Sequence, residues 1–472
     1  MRRVVAALAL AAAGCSGSVT PGPSPSARPR GGSGLSVLLI TIDTLRADHM
    51  GIYGYRRNTS PRMDALGREG TTFDEAFTFW PKTRGSFVMI HTGRRPSQNG
   101  YSRTHPVLLG FNPTIADTLR QAGYATAAIV DNPNVAAEHG YAKGFETYRE
   151  TWEEKGLVTE MDRARAITEG GVRFLRSATP DEPFFLWLHY VNPHAPYTPP
   201  PPYDTAFLDA EARSGPRLPR VPSFHGGIPK QWAVDGEERR GFYVAQYDGE
   251  IAAADHEVGE VLDALRSSAA WGRTVVIATS DHGESLGEHD YYFDHGEDLF
   301  DPCLGIPLIV VAPEAPKGRR SGVLASTLDL LPTILDAAKV SYPPDLAGSS
   351  LLPAVLGAAP SGPERLHAQN DRGLSAVLDR RYKTVATPVG DKARYALYDR
   401  QRDHGESRDA AADLPDELRV GRREIELFLE RADREWARTR PLVLGHPEGE
   451  GKMTAQACER LKGLGYVQQC AP

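Results

Sequence analysis

The sequence predicts an α/β fold: a mostly parallel sheet flanked by helices on both faces, followed by a smaller C-terminal α+β subdomain. Three observations carry this. Short apolar runs alternate with helix-like stretches through most of the chain, the pattern of parallel strands joined by helical crossovers. Two of those runs end directly in ionisable residues, at Asp43 and at Asp281, and ligands of such sheets collect at the carboxyl ends of the strands. From about Glu364 the texture changes to alternating strand patterns and one long helical stretch.

Residues 35–42, 125–130, 184–190, 274–279 and 307–311 are predicted as buried strands, being near-continuous apolar runs too short for helices. Residues 114–122 and 245–265 carry helical patterns between them. Beyond, residues 376–387 and 393–398 read as two antiparallel strands joined by a Gly390-Asp391 turn, with a helix over 417–439. The expected units are therefore a catalytic domain over 35–363 and a C-terminal subdomain over 364–472. No internal repeat is visible.

The first 34 residues read differently. Arg2 and Arg3 precede an apolar run over 4–13, too short to span a bilayer and of the right form for a signal peptide. It ends in Ala12-Ala13-Gly14-Cys15, which resembles a bacterial lipobox with Cys15 as the lipidated residue. An ordinary signal peptide with an incidental cysteine is the alternative. Residues 16–34, rich in Ser, Pro and Gly, are expected to be a flexible linker. The expectation is an exported protein, held at the bacterial cell envelope only through this N-terminal lipid anchor. A net charge of -7 and the lack of a long basic block argue against nucleic acid as a partner. Of the remaining cysteines, Cys458 and Cys470 are near enough in sequence to pair, while three free thiols with Cys303 is the other reading.

Two clusters carry chemistry. In Ile42-Asp43-Thr44-Leu45-Arg46-Ala47-Asp48, a strand ends in a carboxylate, a ligand suited to hard divalent cations. The run from Asp281 to Asp290 holds two Asp, two Glu and two His directly after an apolar strand, with Gly283 permitting a sharp turn after Asp281-His282. The predicted metal ligands are Asp43, Asp281 and His282.

These clusters resemble the sulfatase family of the alkaline phosphatase superfamily. I-D-T-L-R-A-D-x-x-G-x-Y-G over 42–54 is similar to its opening metal motif, and T-S-D-H-G-E-x-x-G-E-H over 279–289 to its second. Thr92-Gly93-Arg94-Arg95-Pro96, the segment 189–197, Tyr247-Asp248-Gly249-Glu250-Ile251, the segment 328–333 and the closing segment 461–467 resemble further family segments, in the family's order. The resemblance implies an alkaline-phosphatase-like fold and one divalent metal ion (Ca, Mg, Mn or Zn). It also implies hydrolysis of sulfuric or phosphoric esters, with a small-molecule, glycan or lipid ester as substrate.

The nucleophile position departs from the family. Sulfatases carry Cys or Ser, the precursors of formylglycine, nine residues before the Thr-Gly pair; here that position is Thr83. Gly85 and Phe87 stand where the motif has Pro and Arg, and Thr44 where a second Asp is usual. A threonine there resembles the superfamily's phosphodiesterases and phospho-group transferases, whose hydroxyl attacks phosphorus. Thr83 is thus a candidate nucleophile and fourth metal ligand, and it also suits a helix N-cap. The family's Gly-Lys-Trp-His segment is missing, with Asn132 in its place as a candidate substrate contact. His194 is a candidate to protonate the leaving group or bind an equatorial oxygen. His295 falls where sulfatases place a substrate-binding Lys and is taken as catalytic. His289 is a candidate for substrate or a second metal, and Lys82 and Arg84 for offsetting charge on the transferred group. Arg46, Asp48, Asp248 and Asp255 read as scaffold. Besides phosphoester hydrolysis, the readings left open are an arylsulfatase-type sulfuric ester hydrolase, an envelope phospho-group transferase and a non-catalytic glycan-binding protein.

Overall fold

The computed structural model describes residues 34–179, 182–359, 362–446, 453–467 and 469–470. Cys15, the predicted signal peptide and all of the linker but Gly34 lie outside them. The central sheet has eight strands: β1 (Ser36–Ile42), β2 (Thr71–Phe77), β3 (Ala125–Val130), β4 (Thr147–Glu150), β5 (Phe184–Tyr190), β6 (Thr274–Thr279), β7 (Leu308–Val311) and β8 (Arg319–Ser326). Their order is β8-β2-β7-β6-β1-β5-β3-β4. All neighbours are parallel except β7, which runs antiparallel to both β2 and β6.

Side chains alternate across a strand, so β1 and β6 feed two cores. Val37, Leu39, Val275 and Ile277 face one layer, and Leu38, Ile40, Val276 and Ala278 the other. Helices α1 (Pro61–Glu69), α2 (Thr83–Thr92), α3 (Ile115–Gln121), α4 (Glu160–Ser177), α5 (Arg240–Arg266) and α6 (Leu330–Ala337) cover the sheet. α2, α3 and α6 pack on the first face, and α1, α4 and α5 on the second. The register is what positions the site. Thr41 stands level with His189 on β5 and with Thr279 on β6, so three strands end together at one edge.

Four antiparallel strands form the small C-terminal sheet: β9 (Leu366–Gln369), β10 (Ser375–Leu378), β11 (Tyr382–Val389) and β12 (Lys392–Asp399). This corrects the expectation of one strand over 376–387. Asp379 accepts hydrogen bonds from the backbone N–H groups of Arg381 and Tyr382, both at 2.8 Å, a side-chain turn that breaks the run in two. The turn expected at Gly390-Asp391 is present, with Gly390 at φ 57°. Helix α7 (Pro415–Gly445) lies over this sheet, with Ile425 packed on Val377 and Ala386. Fully buried Lys383 joins the sheet to the large unit, its ammonium 2.5 Å from Asp301 and 2.6 Å from Glu406. The chain then returns to the large unit. Helix α8 (Ala455–Gly463) packs beside residues 133–135 and 151–153, and a disulfide joins Cys458 to Cys470. Cys303 is a buried free thiol.

Candidate active site

Asp43 directly follows β1, and Asp281-His282 follow β6 one residue on. All three side chains are fully buried. Gly283 is required by the turn, since a Cβ there would stand 2.0 Å from the Pro302 carbonyl oxygen. Thr44, next to Asp43, has φ 56°, a left-handed conformation uncommon for a β-branched residue. The Tyr247 hydroxyl holds it by donating to the Thr44 carbonyl at 2.7 Å. Around this edge Arg46 grips Asp48 and Glu288, Asp248 takes Arg57, Tyr55 and His49, and Asp255 accepts from the first N–H groups of α1. These four side chains are thus engaged in ion pairs and hydrogen bonds around the edge.

One ligand atom each from Asp43, Asp281 and His282 lie within 4.8 Å of one another. His282 Nε2 is 3.3 Å from Asp281 Oδ2 and 3.7 Å from Asp43 Oδ1. His282 Nδ1 is 2.9 Å from the Gly283 carbonyl oxygen; a carbonyl only accepts, so Nδ1 carries the proton and Nε2 turns a lone pair to the carboxylates. Asp43 Oδ1 and both Asp281 oxygens have no hydrogen-bond donor. Burial, then the Asp281 charge, raises the Asp43 carboxyl well above its usual range. Burial also pushes Asp281 up to about 7 and His282 down to about 3. A group of buried acceptors without donors is unfavourable alone, and a divalent cation satisfies it. The donor set of two carboxylates and one imidazole fits such an ion.

Asn132 is committed to this group rather than open to a substrate. Its Nδ2 donates to Asp43 Oδ2 at 2.7 Å, and its Oδ1 accepts from Asn134 N at 3.0 Å. The amide thereby fixes the carboxylate's orientation, the kind of support that tunes a metal ligand.

Thr83 is the first residue of α2, with Lys82 as N-cap. Its hydroxyl therefore does not cap its own helix. Oγ1 instead lies 3.2 Å from His282 Nε2 and 3.0 Å from the hydroxyl of Tyr466. That tyrosine is also 2.9 Å from His194 Nε2. The His295 ring lies 4.2 Å from that of His282 and 5.2 Å from that of His194, centroid to centroid. His295 Nδ1 is 3.0 Å from Glu284 Oε1. Burial lowers both histidines, His194 to about 3 and His295 well below its usual value. Lys82 and Arg84 line a cavity of about 160 Å³ beside Thr83, together with Arg103, Asn134 and Tyr466. Lys82 reaches Asp371 at 3.7 Å, and Arg84 donates to Asn134 at 3.2 Å. His289 is not brought to this group: it stacks on Phe300 with ring centroids 3.5 Å apart.

The sequence reading missed Tyr466, Arg460 and Glu284. Buried Arg460 pairs with Asp131 at 2.9 Å and Glu160 at 2.8 Å, beside Asn132. Tyr466 is 383 residues from Thr83. Glu284 sits inside the second metal motif, so it was visible in the sequence, but its pairing with His295 was not.

The family model for Sulfatase matches residues 36–340. The arylsulfatase of Clostridium perfringens (strain 13 / Type A) is 25% identical over 387 residues, 67% of this chain and 77% of that protein. The N-sulphoglucosamine sulphohydrolase of Homo sapiens is 30% identical over 353 residues, 70% of this chain and 66% of that protein. Among solved structures, the phosphonate monoester hydrolase of Agrobacterium radiobacter superposes with a TM-score of 0.70 at 21% identity, covering 85% of this chain and 96% of that one. A 2-O GAG sulfatase gives a TM-score of 0.70 at 21% identity, over 86% and 94%.

Proposed function

The chain belongs to the sulfatase family of the alkaline phosphatase superfamily, and on that footing we propose that it hydrolyses phosphoric rather than sulfuric esters, with Thr83 as nucleophile. One observation carries the preference. The hydroxyl beside the metal group is a threonine's, 3.2 Å from His282 Nε2, where the family places a Cys or Ser that becomes an aldehyde. Threonine cannot follow that route, whereas its hydroxyl can attack phosphorus directly.

Asp43, Asp281, His282 and Thr83 Oγ1 would hold the divalent cation. Its positive charge would favour the alkoxide form of Thr83 and offset charge on the ester oxygens. The chain's own residues supply the rest. Thr83 Oγ1 forms a bond to phosphorus as the bond to the leaving oxygen breaks, and that oxygen departs as an alcohol once protonated. We assign the transfer of this proton to His295, whose ring stands beside those of His282 and His194 and whose Nδ1 is held 3.0 Å from Glu284 Oε1. His194 Nδ1 lies 2.6 Å from the Ala195 carbonyl oxygen, which leaves Nε2 to accept from the Tyr466 hydroxyl at 2.9 Å, and the Thr83 proton leaves towards this pair as Oγ1 bonds to phosphorus. Water then cleaves the Thr83–phosphoryl ester. Lys82 and Arg84 line the approach and suit an anionic substrate.

We further read the protein as exported. The disulfide Cys458–Cys470 suits an oxidising compartment, and among the described residues no helix is long and apolar enough to cross a membrane. The residue proposed for lipidation remains Cys15.

The test is a panel of p-nitrophenyl phosphate, bis-p-nitrophenyl phosphate, a p-nitrophenyl phosphonate and p-nitrophenyl sulfate with added divalent metals. Phospho-esters are expected to turn over fastest, and Thr83→Ala to lose at least about 1,000-fold in kcat. Faster sulfate turnover overturns the phospho preference; full activity in Thr83→Ala overturns the nucleophile.

A further inference from the structure

We propose that Tyr466, carried in by the C-terminal segment, is a working part of this active site, orienting the Thr83 hydroxyl for attack. The inference rests on Thr83 being the nucleophile and adds a residue from the far end of the chain.

The hydrogen-bond directions are fixed from one end. His194 Nδ1 faces a carbonyl oxygen at 2.6 Å, so it carries the ring proton and Nε2 holds a lone pair. Tyr466 Oη, 2.9 Å from that Nε2, must then donate to it. Its own lone pairs are left to face Thr83 Oγ1 at 3.0 Å, so Thr83 donates to Tyr466. The other acceptor within reach, His282 Nε2, belongs to the group that fits the cation. The Thr83 proton is thus drawn to one side, and its lone pairs turn towards Asp43, Asp281 and His282. A lone threonine hydroxyl on a helix start would rotate among staggered positions. Here one of them is selected.

The segment is built to deliver that tyrosine. Thr454 caps α8 by accepting from Ala457 N at 3.0 Å. The helix ends in a left-handed Gly465 at φ 79°, with Gly465 N bonded to the Lys462 carbonyl and Tyr466 N to the Leu461 carbonyl. This paired closure requires a glycine and turns the next residue back across the helix end. Arg460 ties the helix to Asp131 and Glu160. The disulfide from Cys458 to Cys470 encloses Tyr466 in a short loop. The tyrosine and Thr83 both line the cavity that Lys82 and Arg84 line.

The experiment is steady-state kinetics of full-length wild type, Tyr466→Phe and Thr83→Ala on bis-p-nitrophenyl phosphate and p-nitrophenyl phosphate, with melting temperatures. Tyr466→Phe keeps the ring and removes only the hydroxyl. Its kcat is expected to fall about tenfold, the size of one hydrogen bond, with KM within about twofold and the melting temperature unchanged. A merely structural tyrosine would lower the melting temperature and leave kcat of the folded fraction intact. Activity of Tyr466→Phe at or above wild type overturns the assignment and makes the tyrosine a plug. Turnover surviving in Thr83→Ala overturns the nucleophile and this inference together. Loss in Thr83→Ala with no loss in Tyr466→Phe overturns this inference alone.

Discussion

Replacing Asp281 with Asn should stabilise the metal-stripped protein while removing its response to metal. In the absence of a cation, burial holds the Asp281 carboxyl at about 7, against an ordinary 3.8. A carboxyl raised in this way carries no penalty below its unfolded pKa and loses stability as pH climbs through the interval between the two values; above about 7 the penalty is complete. The difference is about three pKa units, or about 4 kcal/mol as an upper bound. The substituted amide has no charge to bury, and its NH2 would find acceptors in Asp43 and in His282 Nε2, now 3.3 Å from Asp281 Oδ2. With an unfolding entropy of about 2 cal/mol/K per residue, about 4 kcal/mol raises the melting temperature of a 472-residue chain by about 4 °C. The assay is thermal melting of chelator-treated wild type and Asp281→Asn at pH 5 and pH 8, then after addition of Mn, Zn or Ca. The variant should melt higher than wild type at pH 8, with a smaller gap at pH 5, and metal should raise only the wild type. A variant that melts lower than stripped wild type at pH 8, or that gains as much from metal, refutes the reading of these carboxylates as a cation site.

Three other outcomes are expected. Asn132→Ala leaves Asp43 Oδ2 without the donor now at 2.7 Å and should weaken metal binding about tenfold or more in a competition titration. Cys458→Ser/Cys470→Ser removes a constraint of about 3 kcal/mol on a loop of this length; amide exchange over 455–466 should quicken about a hundredfold, with little change in exchange across β1 and β6. Lys383→Met strands the buried carboxylate of Glu406, while half-buried Asp301 keeps Arg400 at 2.8 Å, and should destabilise by about 3 kcal/mol, seen as a lower urea midpoint for the C-terminal sheet.

The parts of the fold legible in the sequence are those buried on both faces. β1, β5 and β6 are apolar throughout because each face meets a core, and a continuous run then signals a strand. β2 and β8 were not legible: Asp74 and Glu75 interrupt one, and Arg319, Arg320 and Gly322 the other, since these strands lie towards the sheet's edge and touch solvent. Asp43, Asp281 and His282 were legible because each lies within three residues of a strand's carboxyl end, and Thr83 because its spacing from Thr92 is fixed within one helix. The role of Asn132 was not, because whether an amide meets a substrate or a carboxylate depends on where β3 ends relative to β1. Tyr466 stood inside the recognised closing segment 461–467, but its place beside Thr83 was not legible, and Arg460 carries no local pattern that separates it from surface residues of a short helix; only packing brings them to the site.

The distance along the chain between Thr83 and Tyr466 sets an order of events. The metal group and nucleophile are complete once β6 and its following loop have docked on β1, some 280 residues into synthesis. Tyr466 lies 383 residues beyond Thr83 and is made long after that group, and the disulfide that encloses it joins positions on either side. A chain made only as far as the second motif therefore holds a metal group without its tyrosine. Closing the Cys458–Cys470 pair limits how far the segment bearing Tyr466 can stray, so reducing that disulfide would loosen the tyrosine before it loosens the metal group.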